Sequence, residues 1–209
     1  MTEYSYAICV CNEHREINAL LMHLQSFINK KDVSEIVVLV DTKNVTDEVK
    51  KVLKRYERHI KVFEREFDNN FATHKNFLNS KCSGKYIFNI DADEMPNFNV
   101  IRFFESLQNE TFDVVYVPRI NICPGSTEEF LKMHNFTANE NGWINWPDYQ
   151  GRIYQSGALW EGDVHEKVKG TNVKALNPDP ALALIHVKTM EKQNRQNELY
   201  KSIQVPDQE

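Results

Sequence analysis

Residues 85–94 read KYIFNIDADE, an apolar run that ends in a cluster of acidic residues. Its first six residues, rich in aromatic and β-branched side chains, predict a short buried strand that ends in Asp91-Ala92-Asp93-Glu94. Carboxylates this close together repel one another unless a cation or solvent lies between them. Hard divalent ions such as Mg²⁺ and Mn²⁺ bind carboxylate oxygens and leave positions open for phosphate. The stretch therefore predicts a metal site at a strand end; the alternative is an acidic cap for a following helix.

Similar strands recur on both sides of this stretch and alternate with helical segments. Further strands are predicted over residues 4–11, 35–40, 60–63 and 112–117, and helices over residues 16–29, 46–58, 71–81 and 96–107. This alternation predicts an α/β fold with a mostly parallel central sheet flanked by helices. The later residues give weaker signals, with short strands at 152–154, 158–161 and 183–187 and a helix over 189–200. Because no linker or repeat interrupts the chain, we expect one domain over residues 1–209.

Composition excludes several classes of protein. The chain has 30 acidic and 25 basic residues, a net charge of -5, so we expect no nucleic-acid partner. Its seven glycines form no G-x-G-x-x-G, and Asn79 stands where a phosphate loop ending in Gly84-Lys85 needs its first glycine. No apolar run reaches the ~18 residues that span a membrane. With no N-terminal export signal, the sequence predicts a cytoplasmic chain with reduced cysteines.

Polar residues follow three of the predicted strands. Asn12 and Glu13 come after the first strand, Asp41 after the second, and Asp91 and Asp93 after the fourth. In open α/β sheets, ligands bind beyond the carboxyl ends of the strands. We therefore expect these side chains to meet at one edge of the sheet.

These motifs together resemble family 2 glycosyltransferases, which have the GT-A fold. Cys11-Asn12-Glu13 is similar to the family's opening, and Val40-Asp41 to its second strand with a uracil-contacting aspartate. Residues 71–94 resemble the block A-x-x-R-N … G-x-Y-I-x-x-L-D-A-D-E, with Lys75 in place of the arginine. Residues 150–154 (QGRIY), residues 162–166 (GDVHE) and Ile185-His186 resemble motifs of small bacterial and viral members.

The resemblance implies transfer of a sugar, with inversion, from a nucleotide-sugar donor to an unknown hydroxyl. A UDP-sugar is the expected donor, and the acceptor is a carbohydrate, lipid or protein. Residues 1–120 would bind the donor, and residues 121–209 would bind the acceptor and carry out catalysis. The implied cofactor is Mn²⁺ or Mg²⁺ held by Asp91, Asp93 and His186. The residues expected to contact the donor are Asn12, Glu13, Asp41, Lys75, Asp91, Arg152, His165 and Lys188.

The catalytic base stays open among three carboxylates. A base on the far side of the sugar must take the proton of the acceptor hydroxyl. Glu166 is preferred because it completes the family-like V-H-E, and Asp163 and Glu161 are its rivals. Alternation along a strand would place Glu161 and Asp163 on one face and Glu166 on the other, unless the strand stops before His165.

Two other classes of function fit parts of the sequence. The chain could be an inactive protein that binds a nucleotide sugar and a metal, or a nucleotidyltransferase or phosphatase that uses Asp91 and Asp93. Five aromatic residues form either a stacking platform for an acceptor sugar or a small core: Trp143, Trp146, Tyr149, Tyr154 and Trp160. Residues 121–147 give few signals for regular structure and are a candidate lid over the donor.

Overall fold

Residues 2–204 are described in the computed structural model, and within them nine strands form one sheet. The strands are β1 (Tyr4–Val10), β2 (Ser34–Asp41), β3 (Lys61–Arg65), β4 (Tyr86–Asp91), β5 (Glu94–Pro96), β6 (Val114–Ile122), β7 (Ile144–Gln155), β8 (Trp160–Glu161), β9 (Lys167–Val168), β10 (Val173–Ala175) and β11 (Leu184–Val187). The helices are α1 (His14–Phe27), α2 (Asp47–Tyr56), α3 (Phe71–Asn79), α4 (Phe98–Ser106), α5 (Glu128–Met133) and α6 (Met190–Gln204), with a 3-10 turn at Pro180–Leu182. Strands β8 and β9 form a separate hairpin.

The sheet has the strand order β3-β2-β1-β4-β7-β6-β11-β5. Strands β3, β2, β1 and β4 run parallel, whereas β7 is antiparallel to both β4 and β6. Both β10 and β11 pair in parallel with β6, and β5 is antiparallel to β11. The predicted α/β fold with a mostly parallel central sheet is therefore confirmed, with an antiparallel insertion in its second half.

Two layers of buried side chains cover the two faces of the sheet. On one face, the apolar stripe of α1 packs with α2 and α4 through residues that include Leu20, Val52 and Phe104. On the other face, Ala72 and Leu78 of α3 pack against β1 and β2. The buried residues of these helices recur with the helical spacing that the sequence predicts.

The acidic stretch after β4 leads into a strand. Glu94 begins β5, and α4 starts only at Phe98, so the alternative of a helix cap at residues 91–94 is wrong. Backbone pairing of β5 with β11 takes His186 to a position beside Glu94. The acidic residues therefore lie between two sheet strands, where side chains from β11 can reach them.

The second half of the sheet differs most from the prediction. Residues 152–154 were expected to form a short strand, but β7 runs from Ile144 to Gln155 and pairs with both β4 and β6. Pro147 and Gly151 interrupt the apolar pattern of this strand, and the register shifts beside them. Such irregularities hide a strand from the period-2 rule. Conversely, the strand predicted at residues 158–161 contains only Trp160 and Glu161.

Close packing at Gly84 sets the start of β4 against β1. The Gly84 amide donates to Ser5 Oγ at 2.9 Å. A Cβ atom at Gly84 would lie 2.7 Å from Ser5 N and 2.8 Å from Tyr4 C, both backbone atoms that cannot move freely. The pairing that begins here sets Cys9 beside Asp91 at the other end of the strand.

We predict that Gly84→Ala destabilises the chain by about 2–3 kcal/mol, in the upper part of the range for overpacking, because backbone atoms block the added Cβ. The control is Gly142→Ala, where φ is +73° and no atom lies within 4 Å of the added Cβ. That variant should lose only about 1 kcal/mol because it adds strain without a clash. Urea unfolding measures both, and equal losses would contradict the steric argument.

Candidate active site

The carboxyl ends of β1, β2 and β4 lie at the same edge of the sheet. Cys9 pairs with Asp91, the last residue of β4. Asp41 is the last residue of β2, and Asn12 and Glu13 lie two and three residues beyond the end of β1. The structure therefore brings these strand-end residues to one edge, as the strand order requires.

Arg152 of β7 lies at the centre of this edge. Its side chain is 3% exposed and donates from Nη2 to Glu94 Oε1 at 2.5 Å and to Asp91 Oδ2. The fully buried Glu94 also accepts from the Asp91 amide at 3.2 Å and from Arg119 Nη1 at 2.8 Å. Arg152 thus joins Asp91 to Glu94, and Glu94 also binds the partly buried Arg119, which fixes β4, β5, β6 and β7 relative to one another.

Lys75 joins Asp91 to the preferred base. Its Nζ atom lies 3.3 Å from Asp91 Oδ1 and 2.7 Å from Glu166 Oε1. The ammonium group also stands over the ring of Trp160, 4.4 Å from its centroid. A buried cation therefore holds Glu166 at the same site as the strand-end acid Asp91.

A second row of contacts leads from Arg119 to Asp93. Arg119 donates to Asp148 Oδ2 through Nε at 2.9 Å and Nη2 at 2.7 Å. Asp148 Oδ2 also accepts from Asn121 Nδ2 at 2.7 Å, and Asn121 Oδ1 lies 2.8 Å from His186 Nδ1. The other ring nitrogen of His186, Nε2, lies 3.4 Å from Asp93 Oδ2.

The charges of these groups stabilise one another. Burial alone would raise the pKa of Asp91, but Arg152 and then Lys75 outweigh it and lower that pKa well below its usual range. Burial also opposes charge on Lys75, yet Asp91 and Glu166 raise the pKa of this lysine. Burial lowers the pKa of Lys188 despite the nearby Asp93.

The predicted donor contacts at β1 and β2 order the loops around them. Asp41 Oδ1 accepts from the Lys43 amide at 3.0 Å, and its Oδ2 accepts from Asn44 Nδ2 at 2.7 Å. Glu13 Oε2 accepts from the Cys11 amide at 3.0 Å. Asn12 is exposed at the turn. Their contacts with a donor stay predictions.

The three candidate bases lie in different places. Glu161 is 62% exposed and pairs with Lys169 at 3.0 Å on the β8–β9 hairpin. Asp163 is exposed and accepts from Asn70 Nδ2 at the start of α3. Of the three, only Glu166 contacts the buried charges, through Lys75.

Strand β8 ends at Glu161, so strand alternation does not apply to residues 162–166. Glu166 can therefore reach Lys75. Gly162 and His165 have φ values of +103° and +54°, which turn the chain sharply. The His165 ring packs edge-on against Tyr200 of α6, with centroids 5.1 Å apart. His165 therefore contacts α6 and is exposed to solvent.

The predicted metal ligands form an open corner. Among residues 2–204, no three His, Cys, Asp or Glu side chains stand close enough to enclose an ion. Asp93 and His186 form a pair whose 3.4 Å separation is close to the about 3 Å between neighbouring ligands of a small divalent ion. Asp91 is 36% exposed and is occupied by Arg152 and Lys75. The residues fit an ion that takes its remaining ligands from water and phosphate.

The five aromatic residues form two pairs, and Tyr149 stands apart from both. Tyr154 and Trp160 are buried, and Trp160 Nε1 donates to the Tyr154 hydroxyl at 3.0 Å, so these two form a small core. Trp143 and Trp146 are partly exposed near the start of β7, with ring centroids 5.2 Å apart. Tyr149 donates to the Leu176 carbonyl at 3.0 Å.

Residues 121–147, the candidate lid, contain the end of β6, α5 and the start of β7. His134, just after α5, lies 3.2 Å from Asn197 Nδ2 of α6. Lys188, a predicted donor contact that precedes α6, donates from Nζ to Gln196 Oε1 of α6. Helix α6 thus connects this segment to the acidic edge, and movement of the segment stays a prediction.

Sequence reasoning missed three residues of this site as candidates: Arg119, Asn121 and Asp148. The pairing of β6 with β7 sets Arg119 beside Asp148 across a shifted register. These residues could have been found only if β7 had been predicted at its full length. Its irregular residues conceal the strand pattern, so no such prediction was possible from the sequence.

The mostly parallel central sheet flanked by helices has the GT-A type of α/β fold. Residues 5–177 match the sequence profile of Glycosyl transferase family 2, so the chain belongs to that family. The resemblance read from the motifs is confirmed. A comparison with curated proteins finds no match. No helix among residues 2–204 combines the length and apolar character needed to cross a membrane.

Solved structures share this fold at low identity. S. aureus TarS 1-349 is 15% identical, with a TM-score of 0.62 over 97% of this chain and 64% of that one. Its complex with UDP-GlcNAc is 14% identical, with a TM-score of 0.61 over 97% and 65%. The mannosyltransferase PcManGT from Pyrobaculum calidifontis, in complex with GDP-Man and Mn²⁺, is 14% identical, with a TM-score of 0.58 over 88% and 56%. The chain spans less than two thirds of these structures, and the likeness shows the GT-A fold.

We predict that Glu94→Gln lowers the free energy of unfolding by about 3–5 kcal/mol, because it removes the buried charge that binds both Arg119 and Arg152. The control Glu161→Gln breaks an exposed ion pair with Lys169 and should cost less than about 1 kcal/mol. Urea unfolding at neutral pH measures both. A loss at Glu94 no greater than at Glu161 would show that the buried pairs contribute little.

The lowered pKa of Asp91 predicts a pH dependence of stability. The carboxylate is stabilised in the folded chain relative to the unfolded value of about 3.9. Its contribution is therefore complete above that value and is lost as the pH falls through the lower folded-state pKa. The stability difference between the wild-type chain and Asp91→Asn should be constant from about pH 7 to 5 and shrink below about pH 4. Urea unfolding in EDTA measures it, and a difference that grows on acidification would refute the assignment.

Proposed function

We propose that this chain is a metal-dependent glycosyltransferase that moves a sugar from a nucleotide-sugar donor to an acceptor hydroxyl with inversion. One observation carries the proposal: Lys75 bridges Asp91, at the end of β4, and Glu166, at the loop after β8. A strand-end acid and a base candidate therefore occupy one site in a chain of family 2. A UDP-sugar is the favoured donor.

The donor's diphosphate gains negative charge as the bond to the sugar breaks. Bound Mn²⁺ or Mg²⁺ would neutralise that charge. Asp93 and His186 would hold the ion, with Asp91 nearby and Lys188 as an additional cation at the same edge. The chain's acidic balance supports this assignment, because the carboxylates alone would repel a diphosphate.

Glu166 is the proposed general base. A carboxylate accepts the proton of the acceptor hydroxyl as that oxygen attacks the sugar carbon from the face opposite the leaving diphosphate. This single displacement inverts the configuration at the carbon. Lys75 holds Glu166 in place, and the side chain of Glu166 is 14% exposed, which leaves it a route to an acceptor.

The acceptor is proposed to bind in the second half of the chain. Trp143 and Trp146 supply partly exposed rings near the start of β7. Apolar faces of sugars stack on such rings. A carbohydrate, or a lipid or protein that carries a hydroxyl, remains the expected acceptor, and the expected location is the cytoplasm.

The test is release of free nucleotide from a panel of nucleotide sugars, measured with Mn²⁺ and with EDTA. The wild-type chain should release nucleotide from at least one donor only when the metal is present. Glu166→Gln should lower turnover about 10²–10⁴-fold while donor binding persists, because only proton transfer is lost. Asp93→Ala should lose metal-dependent donor binding, and Glu161→Gln should behave like the wild-type chain.

Other outcomes identify the alternatives. Metal-dependent donor binding with no turnover would indicate an inactive binding protein. Phosphate or pyrophosphate chemistry without a sugar acceptor would indicate a phosphatase or nucleotidyltransferase. Neither binding nor turnover with any donor would refute the proposal.

A further inference from the structure

The side chain of Asn121 lies between an anion and an imidazole. Its Nδ2 atom is 2.7 Å from Asp148 Oδ2, and its Oδ1 atom is 2.8 Å from His186 Nδ1. Ionised Asp148 only accepts hydrogen bonds, and the same Oδ2 already accepts from Arg119. The NH₂ group of Asn121 must therefore face Asp148, and its carbonyl oxygen must face His186.

This orientation determines where His186 carries its proton. Because the Asn121 oxygen only accepts, the hydrogen bond requires a proton on Nδ1 of the imidazole. The neutral ring then has its lone pair on Nε2. Nε2 faces Asp93 Oδ2 at 3.4 Å, beyond the 2.7–3.2 Å range of an N–H···O bond. Two groups with lone pairs that face each other are stabilised by a cation at the opening between them.

We propose that Asn121 is a positioning residue: it fixes the Nδ1–H tautomer of His186 and so presents the Nε2 lone pair, beside Asp93, to a divalent cation. The cation part of this inference rests on the metal dependence in the proposed function. The tautomer does not, because it follows from hydrogen bonds present without metal. Outer partners of this kind orient ligating histidines in many metal sites.

The orientation of Asn121 is itself held from the protein interior. Asp148 receives two bonds from Arg119 and one from Gln150 Nε2 at 2.8 Å. Arg119 is bound in turn to the buried Glu94. The tautomer of His186 is thus connected to the same buried charges that hold Asp91.

The first experiment is ¹⁵N NMR of the histidine rings in the full chain, without metal and at a pH where the imidazole is neutral. The chain has seven histidines, and a His186→Gln variant assigns the signal of interest. The wild-type chain should show His186 as the Nδ1–H tautomer. Asn121→Leu, which has a similar volume and no amide, should shift His186 towards Nε2–H, the form that free imidazole side chains favour. Its Mn²⁺ affinity should fall about 10–100-fold.

The exchange variant Asn121→Asp/Asp148→Asn provides the matched rescue. It keeps the net charge, an acceptor facing His186 Nδ1 and an amide beside Arg119. It should restore both the Nδ1–H tautomer and the Mn²⁺ affinity, which a purely structural defect at Asn121 would not explain. Urea unfolding checks that each variant is folded.

An Nε2–H tautomer in a wild-type chain that binds Mn²⁺ overturns this inference and leaves the proposed function intact. An Asn121→Leu variant that keeps both the tautomer and the affinity also overturns it. If the wild-type chain binds no Mn²⁺, the metal dependence fails and so does the ligand role of His186.

Discussion

The buried guanidinium of Arg152, bonded to Asp91 and Glu94, is the interaction on which the site depends. Removing the charges of Arg152 and Glu94 from water is costly, and only close pairing offsets that cost. Glu94 is fully buried and also binds Arg119, so its loss weakens the pairing of both guanidinium groups. The antiparallel strand β7 is therefore fixed between β4 and β6, and the acidic end of β4 keeps one position.

From this centre the charges extend in two directions. One branch runs from Asp91 through Lys75 to Glu166, and the other from Glu94 through Arg119 and Asp148 towards His186 and Asp93. In the first branch every acid has a cation of the chain beside it. The second ends at Asp93, partly exposed, whose nearest partner is an imidazole. In the proposed function, that difference assigns the proton acceptor to the first end and the metal ion to the second.

Much of the first half could be predicted from sequence because its signals are local. The strand before Asp91 and its acidic end follow from residues adjacent in the chain. The metal corner needed the family resemblance to bring in His186, a distant residue. The contacts of Arg119, Asn121 and Asp148 could not be predicted, because they depend on the register of β7 across Pro147 and Gly151. The preference for Glu166 came from the family-like V-H-E, whereas its contact with Lys75 depends on β8 ending after two residues.

The central claim is that these buried charges act as one network, and a double-mutant cycle at Arg119 tests it most directly. Glu94 and Asp148 bind the same guanidinium from different strands. Urea unfolding of Glu94→Gln, Asp148→Asn and the double variant gives their interaction energy. If the charges form one network, the two substitutions should show an interaction energy of at least about 0.5 kcal/mol. Each substitution changes how Arg119 binds the acid that remains. Effects that add within about 0.3 kcal/mol would contradict it.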